Sequence, residues 1–164
     1  MIRIRPIFFA AVLAMLGGQS QALSCLRPDP ITTFQQLAAA PESYFVLYGR
    51  LTFDEEALPA GTSMDQSRVP EPIAARFAGK GLTRDGFTNT YVSDVTLQVG
   101  CLGPWCGSAR SGVDAIYFVE ATDPPVTMQA QPCGEMIFEN PSQATLDMLT
   151  SCMQGGACSP QPLQ

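Results

Sequence analysis

The sequence predicts a mainly β domain, a small closed β-barrel of five to six strands with a short N-terminal helix, a C-terminal helix and stabilising disulfides. Three observations support this fold class. Apolar and polar residues alternate with a period of two in several segments, 14 Gly and 14 Pro are spread between those segments, and six Cys occur in 164 residues. Closure into a barrel would also remove the unpaired edges that an open sheet exposes.

The first 22 residues have the pattern of a secretory signal peptide. Two arginines precede the uncharged stretch 7–16, and small residues at positions 20 and 22 mark a cleavage site. This apolar core is too short to cross a bilayer as a helix, which needs about 20 residues. An uncleaved anchor and lipid attachment at Cys25 are the alternatives, but polar residues separate the apolar core from this cysteine. We therefore expect cleavage after Ala22, a periplasmic or secreted product and no integral membrane segment.

The first element of the mature chain is predicted to be a short helix. Asp29 suits its N-cap, Pro30 suits its first position, and the helix should end near Pro41. The next residues, Tyr44–Phe53, alternate in polarity and predict a long strand. Gly49 lies on the inward side of this strand, where the lack of a side chain permits a sharp bend.

An exposed loop is predicted for residues 54–72, because three consecutive acids and several prolines interrupt any helix or central strand. The alternation then resumes at 73–77. A turn is expected at Gly79–Gly81, followed by a longer strand that ends at Val99.

The last strands are predicted to form a hairpin. Residues 113–121 are apolar on both faces apart from Asp114 and Glu120, and a Pro-containing turn separates them from 126–130. A helix should then begin at Pro141, with its apolar residues on one stripe. Together, residues 23–159 are expected to form one OB-like barrel domain, with a flexible tail at 160–164.

All six cysteines follow the predicted cleavage site, and an even number in an exported chain predicts three disulfides. Fifteen pairings are possible, and spacing alone does not select one. Two pairs are close enough for local bridges: Cys101 with Cys106, and Cys152 with Cys158. Those bridges would leave Cys25 to join Cys133. Such a link would close a loop of about a hundred residues and add roughly 4 to 5 kcal/mol in the chain-entropy model.

The order of elements resembles the netrin-like module, the OB-type barrel of tissue inhibitors of metalloproteinases. The shared features are an early cysteine, a helix before the strand Tyr44–Phe53, a cysteine cluster at 101–107, and Cys133 before a helix that ends at Cys152. The resemblance covers nearly the whole mature chain and implies an OB-like barrel tied at its N-terminus by a disulfide. In those inhibitors the mature chain opens with a cysteine that chelates the protease zinc. Here two residues would precede the first cysteine, so protease inhibition is not implied.

Charge and composition exclude several classes of function. The chain has no His, which removes Ser-His and Cys-His nucleophile pairs and every imidazole metal site. After loss of the signal peptide and its two arginines, seven basic and fifteen acidic residues remain, a charge of −8. No surface for nucleic-acid phosphates is therefore expected. We predict no catalytic residue, no cofactor and no metal site.

The segment Cys101–Gly107 is the densest motif in the chain. Trp beside Cys is found in thiol oxidoreductases, but those enzymes have two residues between their cysteines and place the attacking thiolate at a helix N-terminus. Here four residues intervene and a turn follows, which favours a structural disulfide. Trp105, the only tryptophan, either packs on this bridge or belongs to an exposed patch with Pro104 and Arg110 as binding residues.

These patterns predict an exported, non-enzymatic module of a bacterial envelope that binds a protein or an envelope component. The segments 54–72 and 101–112 are the expected contact loops. A carboxylate-dependent hydrolase or a cysteine redox protein of the periplasm is the alternative, since neither requires histidine.

Overall fold

The computed structural model describes Cys25, residues 28–59 and residues 69–160. The predicted signal peptide, and residues 161–164 of the predicted tail, lie outside the described residues. The helices are α1 (Pro30–Ala38) and α2 (Gln143–Met153), and a short 3-10 helix spans Glu55–Ala57. The strands are β1 (Tyr44–Phe53), β2 (Ile73–Thr83), β3 (Gly86–Val99), β4 (Cys101–Leu102), β5 (Trp105–Cys106), β6 (Asp114–Glu120), β7 (Thr127–Ala130) and β8 (Ile137–Glu139).

Six strands form one curled sheet in the order β7-β3-β2-β1-β6-β8, and β4 pairs with β5 in a separate hairpin. Along β1, Leu47 and Leu51 are buried on the concave face, whereas Val46 and Tyr48 face the helices on the convex side. This alternation is what a period of two produces in a strand with neighbours on both faces. The mainly β fold class and the C-terminal helix are therefore confirmed, and three disulfides are formed as predicted.

The turn predicted at Gly79–Gly81 is wrong, because β2 continues through these residues and the chain turns only after Thr83. Gly79 lies directly opposite Gly49 of β1. A Cβ atom on either glycine would collide with a carbonyl oxygen of the other strand. The two glycines thus permit a close approach and a sharp bend of the sheet, not a reversal of the chain.

The predicted hairpin between residues 113–121 and 126–130 is also wrong. β7 pairs in parallel with β3, whereas β6 pairs with β1 and β8. β7 and β8 are therefore the two edges of the sheet, and no ladder joins them among the described residues. Both edge strands are short, with four residues in β7 and three residues in β8. The sheet is a curled half-barrel, which corrects the predicted closed barrel; its OB-like identity stays a prediction.

Residues 107–112 cross one end of this half-barrel and cover its core. The Gly107 amide donates to the Gly100 carbonyl at 2.8 Å, and the Gly112 amide donates to the Leu51 carbonyl at 2.8 Å. Between these points Ala109 is buried in the concave core. The segment therefore contributes to the concave core without pairing as a strand.

Both helices pack on the convex face. Asp29 caps α1 by accepting two backbone amides at 3.0 and 2.9 Å. α2 begins at Gln143 and not at Pro141, because the Ser142 hydroxyl accepts the Thr145 amide at 3.1 Å and acts as the N-cap. The buried residues of this second core come from both helices, β1 and β6: Ile31, Val46, Ile116, Phe118, Leu146, Leu149 and Cys152.

The three disulfides join Cys25 to Cys133, Cys101 to Cys106, and Cys152 to Cys158. The first spans 108 residues and ties the chain before α1 to the segment between β7 and β8. The other two close the β4–β5 hairpin and the end of α2. Three disulfides fit an extracellular protein. In the described ranges, no helix combines the length and the apolar character that crossing a membrane requires.

Candidate functional site

The β4–β5 hairpin is the centre of the predicted contact loop 101–112. Cys101 pairs with Cys106, and Leu102 pairs with Trp105. The turn between the two strands begins at Gly103, whose φ of 59° is in the region that favours glycine. A disulfide between the two paired cysteines, with Cα atoms 4.0 Å apart, closes the base of the hairpin. A covalent bond therefore restricts the conformation of the hairpin.

Two large apolar side chains are exposed on this hairpin. Trp105 is 45% exposed and its cross-strand partner Leu102 is 57% exposed. Directly paired residues project from the same face of a hairpin, so the two side chains form one apolar patch. Of the two roles considered for Trp105, this geometry favours the exposed contact patch.

Pro104 and Arg110, the other predicted binding residues, have different surroundings. Pro104 lies in the turn and is exposed. The Arg110 amide donates to Glu139 at 2.9 Å, and the Arg110 Nε donates to the same carboxylate at 2.6 Å. Glu139 belongs to β8, so Arg110 ties the crossing segment 107–112 to the edge of the sheet. Its guanidinium is engaged in a structural contact.

The second predicted contact loop, residues 54–72, is described up to residue 59 and again from residue 69. Asp54 caps the 3-10 helix by accepting the Glu56 amide at 3.0 Å. The Glu55 carboxylate accepts the Ser111 amide at 2.6 Å. The structure therefore brings the beginning of this loop against the segment that follows the hairpin. The described beginning of loop 54–72 therefore touches the end of loop 101–112.

The Cys101–Cys106 bridge lies on a β-hairpin. In thiol oxidoreductases the reactive cysteine lies at a helix N-terminus, where the helix dipole stabilises the thiolate. Neither described helix begins at this hairpin. The bridge thus has the surroundings of a structural clasp.

A groove that sequence reasoning missed lies between α2 and the convex face of β1 and β2. Its volume is about 920 Å³. Tyr48 and Phe87 contribute aromatic surface, and their ring centroids lie 5.7 Å apart at 67°. The polar side chains that line it include Arg50, Lys80, Asp85, Asp114, Asp147 and Ser151.

Two of the charges in the groove compensate each other. Arg50 donates from Nε and from a terminal nitrogen to both carboxylate oxygens of Asp114, at 2.8 and 2.9 Å. This hydrogen-bonded pair holds the pKa of Asp114 below its usual range and raises the pKa of Arg50. Asp114 therefore stays ionised at neutral pH and acts as an acceptor.

The groove aspartates do not form the arrangement expected of a glycoside hydrolase. A general acid of that class is a carboxyl group held protonated by apolar surroundings. Asp114 is ion-paired, while Asp85 and Asp147 are exposed. None of these three carboxyl groups has the surroundings of a general acid, which makes binding the better supported role.

The sequence carried only a weak signal for this groove. The alternation of β1 places Tyr48 and Arg50 on one face, but most other lining residues come from β2, the start of β3, β6 and α2. No family model matches the chain, and comparisons with curated proteins and with solved structures also gave no match.

Proposed function

We propose that this protein is an exported, non-enzymatic binding module that contacts a partner protein or an envelope component through the β4–β5 hairpin. The observation that carries the proposal is the exposed apolar pair of Trp105 and Leu102 on a hairpin clamped by a disulfide. Interfaces concentrate their binding energy in a few residues, and Trp is enriched among them.

Preorganisation of the hairpin supports this role. A loop that is already ordered loses little conformational entropy when it binds, so more of the contact energy appears as affinity. The described start of the 54–72 loop contacts the segment that follows the hairpin, through Glu55 and Ser111. We expect its polar residues to belong to the rim of the interface, outside the apolar centre.

Export is supported by the three disulfides and by the signal-peptide pattern of residues 1–22. The resemblance to netrin-like modules is compatible with a binding role and stays a prediction. The hydrolase and redox alternatives lose support, since the three groove aspartates and the hairpin disulfide lack the surroundings those chemistries use.

The test is site-specific photo-cross-linking in intact cells or envelope fractions of the producing organism. A photoreactive phenylalanine analogue replaces Leu102 in one variant and Val92 in the control. Val92 is a matched position, because it is 51% exposed on β3 whereas Leu102 is 57% exposed on the hairpin. We expect a discrete cross-linked product from position 102 and none from position 92.

Competition makes this test specific. An excess of unlabelled wild-type protein should suppress the product, and an excess of Trp105→Ala protein should not. Trp105→Ala should retain its fold, with a loss of stability below about 1 kcal/mol, as is usual for exposed positions. Identical patterns from positions 102 and 92 would refute the assigned surface.

A further inference from the structure

The groove between α2 and the convex face of β1 and β2 differs chemically from the hairpin, and its floor is aromatic. Tyr48 and Phe87 are half-buried and pack against the convex core, which holds their rings in place. Their edge-to-face contact, with centroids 5.7 Å apart, fixes them relative to each other. The groove thus offers rigid apolar surface on which a ring-shaped ligand can stack.

Around this floor, several hydrogen-bonding groups are held by contacts within the protein. The Gln143 amide donates to Asp147 at 2.9 Å, and the Gln154 amide donates to the Arg84 carbonyl at 2.7 Å. Asp147 and Gln154 are thereby oriented while oxygen lone pairs remain for a ligand. Ser151 adds a hydroxyl to the same lining. A ligand here must offer both donors and acceptors.

The charges in the groove argue against an anionic ligand. Arg50 is compensated by Asp114 in a two-point ion pair. Lys80 is the other cation of the lining, which also contains the carboxylates of Asp85 and Asp147. A phosphate or a polyanion needs an excess of positive charge, which this lining does not supply.

The sheet topology argues against a peptide strand. β1 is hydrogen-bonded to β2 and β6, and β2 is hydrogen-bonded to β1 and β3. Neither strand presents a free backbone edge in the groove, so an extended peptide cannot add to the sheet there. Recognition in the groove must therefore use side chains.

From the aromatic floor, the two-sided hydrogen-bonding rim and the lack of net positive charge, we propose that the groove binds a short neutral oligosaccharide. The apolar face of a pyranose ring stacks on the Tyr48 and Phe87 surface, and its hydroxyl groups donate to carboxylates and accept from Lys80. A volume of about 920 Å³ suits a ligand of several rings. This site is separate from the hairpin and does not depend on the proposed function.

The test is titration calorimetry of the full mature protein with chitotetraose and cellotetraose, each at up to about 10 mM, enough to saturate a Kd near 1 mM. We expect saturable binding of at least one sugar. A tetragalacturonate and an uncharged tetrapeptide serve as the anionic and peptide probes and should give no binding. Absence of binding by both neutral sugars, or preference for either of the other probes, would overturn the proposal.

Two matched pairs of variants locate the binding. Ala78→Phe places a ring in the groove, whereas Ala74→Phe changes an exposed position on the same face of β2 outside the lining. Ala78→Phe should weaken binding at least tenfold and Ala74→Phe should leave it unchanged. Lys80→Gln should weaken binding about threefold to tenfold, the effect of one lost hydrogen bond. Arg76→Gln, which removes the same charge outside the groove, should not.

The single tryptophan separates this site from the hairpin. Trp105 lies in β5 and not in the groove, so sugar binding should leave its fluorescence emission unchanged. A saturable emission shift with the sugar would place the site at the hairpin and refute the groove. If Ala78→Phe lowers the melting temperature strongly, the Lys80→Gln and Arg76→Gln pair decides, and equal affinities of those two variants would refute the groove as well.

Discussion

Removal of the long disulfide should cost far more stability than removal of the hairpin disulfide. In the chain-entropy model, the entropy that a bridge removes from the unfolded chain grows with the logarithm of the loop length. The Cys25–Cys133 bridge spans 108 residues and the Cys101–Cys106 bridge spans 5. At 25 °C these lengths correspond to about 4.8 and about 2 kcal/mol. We therefore expect the double variant Cys25→Ser/Cys133→Ser to lose more than twice as much stability as Cys101→Ser/Cys106→Ser.

Urea unfolding, followed by circular dichroism, measures both losses. With a slope of about 1 to 2 kcal/mol/M, loss of the long bridge lowers the midpoint by roughly 2 to 5 M, and loss of the hairpin bridge by roughly 1 to 2 M. The variant without the long bridge can already be unfolded in buffer. This result agrees with the prediction if the variant without the hairpin bridge still folds. Equal losses, or a larger loss for the hairpin variant, would show that loop length does not govern the effect of these bridges.

The structure makes two further predictions for stability. Gly79→Ala should destabilise the fold by about 2 kcal/mol or more in urea unfolding, because its Cβ would collide with the Tyr48 carbonyl oxygen. Gly81→Ala is the control and should change the free energy of unfolding little, since the nearest neighbour of its Cβ lies 3.6 Å away. Similar losses for both variants would contradict the close approach of the two strands at Gly79. Burial raises the pKa of Tyr117 to about 12, above the value of about 10 in an unfolded chain, so this residue's contribution to stability is complete below pH 10 and is lost as the pH rises through 12. The free energy of unfolding should thus fall between these pH values, by at most about 1.4 kcal/mol per pH unit. Tyr117→Phe should make this dependence on pH weaker. An unchanged dependence of the free energy of unfolding on pH would refute the role of this phenol.

The individual strands were predictable because their pattern is local. Burial on one face requires only a period of two, and β1 has the predicted limits Tyr44 and Phe53. The glycines of β2 show where a local sequence pattern does not predict the structure. Glycine serves both in turns and in close approaches between strands, and only the distant partner Gly49 shows that Gly79 belongs to the second class. A single sequence does not reveal that partner.

The candidate sites divide in the same way. The hairpin could be predicted as a candidate site because both cysteines, Trp105 and the turn lie within six residues of the sequence. The exposure of Trp105 depends on what packs near it in the folded chain, so the sequence left its two roles open. The groove could not be predicted from the sequence, because Tyr48, Lys80 and Ser151 come from three elements distant in sequence. Only the packing of α2 on the convex sheet brings these residues together.

An open half-barrel must protect the two sheet edges that closure would have removed, and this chain protects both. The edge strands β7 and β8 have four and three residues, which leaves little unpaired backbone for another chain to join. Gly107 lies so close to the end of β7 that a Cβ there would collide with the Ala130 carbonyl. At the other edge, Arg110 binds Glu139 of β8. The crossing segment 107–112 therefore contacts both edges while its neighbour, the hairpin, remains free to carry the exposed apolar pair.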